Sequence, residues 1–247
     1  MRIAIAAGAL LALLGSLPCS AVRAAPNDYV RTPIVEEGEK EIDFKWGAAK
    51  LRDGSSTTAT SLGLGWGATL WWFTEVYGKW HREPGESGGF DAWEWENRFQ
   101  LVETGRYPVD LGFLFEIERP KARTEGYELT YGPMLQAEWG PVQGNLNLLW
   151  QRHVRASEAF DTELLYQWQV KYRAAEALEW GAQGFGTLGQ WDHWAPSSQQ
   201  QHQAGPALFG KVRLGTKQTI KYNAALLIGA TRATPRSALR LQAEFEF

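Results

Sequence analysis

Apolar and polar residues alternate along most of this chain, and the alternation runs unbroken through its last nine residues. In that terminal segment Leu239, Leu241, Ala243, Phe245 and Phe247 fall on one side, with Arg240, Gln242, Glu244 and Glu246 on the other. Successive side chains of a β-strand point to opposite faces, so this pattern predicts a strand with one oily and one wet face. The same period recurs upstream. Ile42, Phe44 and Trp46 oppose Glu41, Asp43 and Lys45; Leu62, Leu64 and Trp66 oppose Gly63, Gly65 and Gly67. An aromatic-rich segment follows at about Thr69 to Trp80, and Trp93, Trp95 and Phe99 then oppose Glu94, Glu96 and Arg98. Val109, Leu111, Phe115 and Ile117 face away from Asp110, Glu116 and Glu118, and Tyr127 to Trp139 continues the rhythm. Leu146, Leu148 and Trp150 oppose Asn145, Asn147 and Gln151, and Tyr166, Trp168 and Val170 oppose Gln167, Gln169 and Lys171. Softer segments follow near Leu178 to Leu188, Leu208 to Leu214 (with Lys211 and Arg213) and Ile220 to Ile228 (with Lys221). The count is roughly twelve strands.

The connections carry a second signal. Those after even-numbered strands are short: Ala68-Thr69, Glu103 to Tyr107, Gly140-Pro141, Arg173 to Glu176 and Gly215 to Gln218. Those after odd-numbered strands are mostly longer and more polar: Arg52 to Thr58, Arg82 to Gly89, Arg119 to Glu125, His153 to Asp161, Gln190 to Gln201 and Thr231 to Arg236. Short turns at one end and longer loops at the other are how transmembrane β-barrels are built.

The terminal Phe247, with apolar residues at every second position before it, resembles the final strand of Gram-negative outer-membrane β-barrels as a class. The resemblance implies an all-β, antiparallel up-and-down transmembrane barrel in the outer membrane, surrounded by lipid and lipopolysaccharide. It also implies that Phe245 and Phe247 belong to the signal read by the barrel-assembly machinery. A soluble β-sandwich would share the alternation, but it has no reason for a free terminal aromatic or for connections that alternate in length.

The start of the chain fits export. Met1 to about Ala24 reads as a signal peptide, with Arg2 ahead of an apolar run from Ile3 to Leu17 and small residues around Ala24. A polar, proline-containing lead at 25–38, expected to lie in the periplasm, then precedes a barrel at 39–247. Cys19, the single cysteine, falls inside the leader, so the mature chain holds no disulfide or thiolate site. Loss of Arg2 and Arg23 with the leader takes the formal charge from −3 to −5, which argues against a nucleic-acid partner. Thirteen Trp and eight Tyr are many for this length, and both favour membrane interfaces.

The polar face becomes the lumen of such a barrel, and its charges are the candidate chemistry. Glu94, Glu96, Arg98, Glu116 and Glu118 come from the first half of the chain, and Lys171, Lys211, Arg213, Lys221 and Arg240 from the second. Strand parity therefore predicts an acidic wall facing a basic one, a selectivity device for a narrow channel passing a small solute. A lumen closed by its own salt bridges, with binding left to the outer loops, is the alternative. Within those loops Trp191, Asp192, His193 and Trp194 are the candidate binding residues. The four histidines fall in or beside the outer loops, but their spacing matches no metal motif, so no metal or cofactor is expected. An outer-membrane hydrolase ranks last, because serine is scarce in the strands and no strand pairs Ser with His as nucleophile and base.

Overall fold

The computed structural model describes residues 25–216 and 218–247, so the expected signal peptide at 1–24 lies outside the described residues. Twelve long antiparallel strands close on themselves: β1 Lys40–Lys50, β2 Ser56–Thr69, β3 Trp72–Arg82, β4 Gly89–Gln100, β5 Val109–Pro120, β6 Tyr127–Trp139, β7 Val142–Val154, β8 Glu163–Ala175, β9 Leu178–Gln190, β10 Gln201–Arg213, β11 Thr219–Gly229 and β12 Ser237–Glu246. Each pairs with its neighbour in sequence, and β12 returns to β1 with Ile42 opposite Phe245 and Trp46 opposite Leu241. Closure removes the free strand edges that an open sheet would expose. The two residues His193–Trp194 fold back on Gln190 and Gly189 and extend the β9–β10 hairpin.

The outer face is apolar. Leu64, Trp66, Trp93, Trp95, Leu226, Ile228, Leu239 and Leu241 all stand exposed on it. An apolar belt of this extent is a lipid-facing surface. Aromatic pairs mark its rims: Trp71 and Trp72 stack with Phe99 at 6.1 and 6.5 Å, and Phe90 packs against Trp93 at 5.1 Å.

Three details differ from the sequence-based expectation. The first short turn is Leu70-Trp71, two residues later than Ala68-Thr69, because β2 continues to Thr69 across an irregular pairing between Gly67 and Thr69. Residues 101–108 join β4 to β5 with a stretch as long as the loops at the opposite end, tied by Leu101 N to Leu111 O at 2.8 Å and Gly105 N to Asp110 Oδ1 at 2.8 Å. The lead is the third. Rather than standing free in the periplasm, it enters the barrel: Val30 and Arg31 are buried inside, and Pro26 lies against Gly47 of β1. From there it descends to Glu36, which lies against Gly67, and turns at Gly38 (φ 79°) into β1.

Candidate functional site

The lumen has two unlike walls. On the β1–β5 side, cross-strand register sets acid against acid, with Glu75 opposite Glu96, Glu96 opposite Glu116 and Glu94 opposite Glu118. One oxygen from each of Glu94, Glu96 and Glu116 lies within 4.8 Å of the others. Like charges placed directly opposite repel, and carboxylates only accept hydrogen bonds. The wall therefore needs donors. Lys79 bridges Glu94 at 2.9 Å and Glu118 at 2.5 Å. Arg98 Nε sits 3.4 Å from Glu96. Lys45 holds Asp43 at 3.0 Å, with its ammonium between the rings of Tyr29 and Tyr77 at 3.5 and 3.7 Å.

The remaining donor comes from the lead. Arg31 Nε donates to Glu96 Oε2 at 3.0 Å, and its Nη2 bridges Glu116. Tyr29 adds its hydroxyl to Glu96 at 3.0 Å, and its ring lies 4.7 Å from the Arg31 guanidinium carbon.

The β6–β9 wall presents side-chain amides at the level of the lead. Gln143 donates to Gln136 at 3.1 Å and to Asn145 at 2.8 Å, Asn145 donates to Gln136 at 2.9 Å, Gln169 to Asn145 at 3.0 Å, and Gln183 to Gln169 at 3.1 Å. A side-chain amide carries both donor and acceptor, so a run of them can satisfy itself. This ladder touches the lead at one level. Asn147 donates to the Arg31 carbonyl at 3.1 Å, while Gln167, oriented to satisfy both its atoms, accepts from Arg31 Nη1 at 3.2 Å and donates to the Tyr29 carbonyl at 3.1 Å.

Two cavities flank the lead. One of about 570 Å³ opens toward the short turns, between Ile34, Glu36, Arg98, Lys171, Glu179 and Lys221. The other, about 270 Å³, opens toward the long loops, between Asn27, Thr57, His81, Glu118 and Gln151. Between them a gap of about 10 Å³ remains among Asp28, Tyr29, Gln183 and Arg240, room for about one water.

This geometry corrects the expected pair of opposed charged walls. Glu94, Glu96, Arg98, Glu116 and Glu118 do converge, but what faces them is the lead and the amide ladder. The basic residues are dispersed. Lys171 pairs with Glu179 at 3.2 Å, and Lys221 with Glu39 at 3.2 Å and with Glu246. Lys211 lines the larger cavity. Arg213 is exposed beyond the lumen and held to Glu176 at 2.8 Å. Arg240 lies buried at the constriction with its guanidinium 4.0 Å from the Phe185 ring centre. Nor is the interior wholly polar, for Leu114, Met134 and Leu149 form an inward apolar patch. Beside the inward Gly63 and Gly65 the lumen is filled by Tyr77, Glu75, Phe73 and Glu41.

Trp191, Asp192, His193 and Trp194 form the exposed tip of the β9–β10 hairpin and line neither of the two larger cavities. His81 meets Thr57 and Glu83 at 2.9 Å, His153 meets Glu128 at 3.3 Å, and His202 meets Tyr166 at 2.7 Å, each in its own network. Phe245 stacks on Phe247 at 5.7 Å, and the Phe247 N–H donates to Lys40 O at 2.9 Å, tying the chain's last residue to the start of β1.

A closed twelve-stranded barrel with an apolar exterior and a polar lumen is the architecture of an outer-membrane β-barrel. Solved structures of that kind superpose on it. An outer-membrane channel from Pseudomonas putida F1 aligns with a TM-score of 0.59 at 10% identity, over 87% of this chain and 98% of the channel. The NanC porin aligns at 0.54 and 11% identity over 83% and 98%, and the translocator domain of the autotransporter NalP from Neisseria meningitidis at 0.53 and 11% over 86% and 88%. At such identities the likeness is one of fold. No protein-family model and no curated protein matches the sequence.

Proposed function

We propose that the protein is a narrow outer-membrane channel for small solutes, held shut by its own N-terminal lead. The observation that carries this reading is the pair of cavities, one toward each end of the barrel, separated by a segment that is not part of the wall. Among the described residues, the backbone bonds of residues 36–39 fasten the lead's lower end, whereas residues 29–35 reach the wall through side chains. A segment attached in that way can leave without breaking the sheet. The NanC porin and the Pseudomonas putida F1 channel share the barrel and support the reading at that level. No enzymatic step is assigned.

Conductance in planar bilayers tests it. The full-length protein should show rare openings, and a Tyr29→Ala/Arg31→Ala variant, with the lead loosened, should conduct steadily. If neither conducts, the reading fails. The buried bridges from Arg31 to Glu96 and Glu116 would then favour the second one, a non-conducting barrel whose exposed β9–β10 tip does the binding.

A further inference from the structure

The lead's single deeply buried guanidinium is bonded by groups from other parts of the chain, with only the ring of Tyr29 from the lead itself beside it. Glu96 and Glu116 lie directly opposite one another on adjacent strands, so their carboxylates present acceptors side by side. Gln167 closes the third side. A planar group with five N–H donors fits such a fork in a way that a compact ammonium does not.

The wall around the seat asks for positive charge beyond what it owns. Its buried acids include Glu41, Asp43, Glu75, Glu94, Glu96 and Glu116, and its own cations are Lys45, Lys79 and Arg98; Arg240 of β12, buried at the constriction, makes no ion pair with these acids among the described residues. Glu75 stands opposite Glu96, almost wholly buried, and among the described residues neither of its oxygens has a hydrogen-bond partner. Across the lumen the amide ladder carries no charge that could serve instead. Withdrawal of the lead would leave the acids short of one more cation.

We propose that the seat formed by Glu96, Glu116 and Gln167 is a guanidinium-binding site of the lumen, filled at rest by Arg31 and taken, when the lead withdraws, by a small guanidinium-bearing solute. The lead is then a tethered stand-in for the solute. As a statement about what crosses the barrel, this rests on the channel reading. As a statement about binding, it does not.

Full-length Arg31→Ala protein, thermally unfolded in detergent, provides the test, with methylguanidinium chloride as the probe and methylammonium and sodium chloride at matched ionic strength as controls. A ligand that binds only the folded state raises its midpoint. Methylguanidinium should recover several degrees of the midpoint lost in the variant. It should leave the wild type, whose seat is filled, where it was, and neither control should act on either protein. Equal shifts in both proteins, or no shift in the variant, would overturn the site. If Arg31→Ala does not assemble, Arg31→Lys, which keeps a charge but not the fork, takes its place with the same outcomes expected. The reversal potential of the Tyr29→Ala/Arg31→Ala variant in a potassium chloride gradient separates the two readings. A severalfold preference for cations supports both. Conduction that prefers anions sinks the guanidinium site and spares the channel, whereas absence of conduction sinks the channel and leaves the thermal result to decide the site.

Discussion

Around β1 to β5 the lumen sets carboxylate against carboxylate; around β6 to β9 it sets amide against amide. Both walls bury polar groups at the same depth, and both arise from the same alternation along their strands. They differ in what they need. Amides supply their own donors, so the ladder from Gln136 through Asn145 to Gln183 closes on itself. Carboxylates must import donors, and the import here includes Arg31 and Tyr29, which belong to no strand. A segment that crosses the lumen is thus held by charge on one wall and by neutral hydrogen bonds from Asn147 and Gln167 on the other.

The largest effect that tests this contrast is expected from Arg31→Ala. Breaking a buried ion pair by removing one partner costs on the order of 3–5 kcal/mol. Unfolding of the purified barrel in urea should register a loss of that size, together with faster proteolytic cleavage near Val30. A variant as stable as the wild type would mean that the acids do not depend on the lead.

Asn145→Leu comes next. It removes the amide that accepts from Gln143 and Gln169 and donates to Gln136, at a cost of about 1–3 kcal/mol for the groups left unpaired. Cleavage of the lead should stay at the wild-type rate. If the lead instead becomes labile, the two walls are not independent.

Gly47→Ala probes the seat of the lead from the barrel side. A Cβ there would come within 2.0 Å of the Pro26 carbonyl oxygen, so the start of the lead must shift and Asn27 must give up its 2.7 Å bond to Ser61. Relieving such an overlap costs about 1 kcal/mol. Greater protease access at residues 25–28 with unchanged heat-modified gel mobility is the expected pair of results; unaltered access would place the lead's hold elsewhere.

The smallest effect belongs to Arg213→Gln. Both it and its partner Glu176 are exposed, and pairs of that kind contribute at most about 1 kcal/mol. Neither stability nor ion preference should change measurably. A clear shift in reversal potential would bring Arg213 back as a lumen residue.

Much of this molecule was legible along the chain because alternation is a local property. Leu239 and Leu241 face outward and Arg240 inward whatever the neighbouring strands are, since adjacent side chains on a strand cannot share a face. The same holds for Trp93 and Trp95 against Glu94 and Glu96, so the twelve strands, their closure and the apolar exterior could be read directly. The interior could not. Which inward residues meet is set by register between strands far apart in sequence, and that register gave Lys171 and Lys221 acids of their own and set Arg240 against the Phe185 ring rather than ranging the three against Glu94, Glu96 and Glu116. Gln167 and Gln169 were visible as polar positions, but nothing local shows that they continue a ladder begun at Gln136 and Asn145. The lead was hardest of all. Tyr29 and Arg31 stand in a short polar stretch with no period to interpret, and their place opposite Glu96 and Glu116 exists only once a closed barrel has brought the inward acids of β1 to β5 together and left them without enough donors.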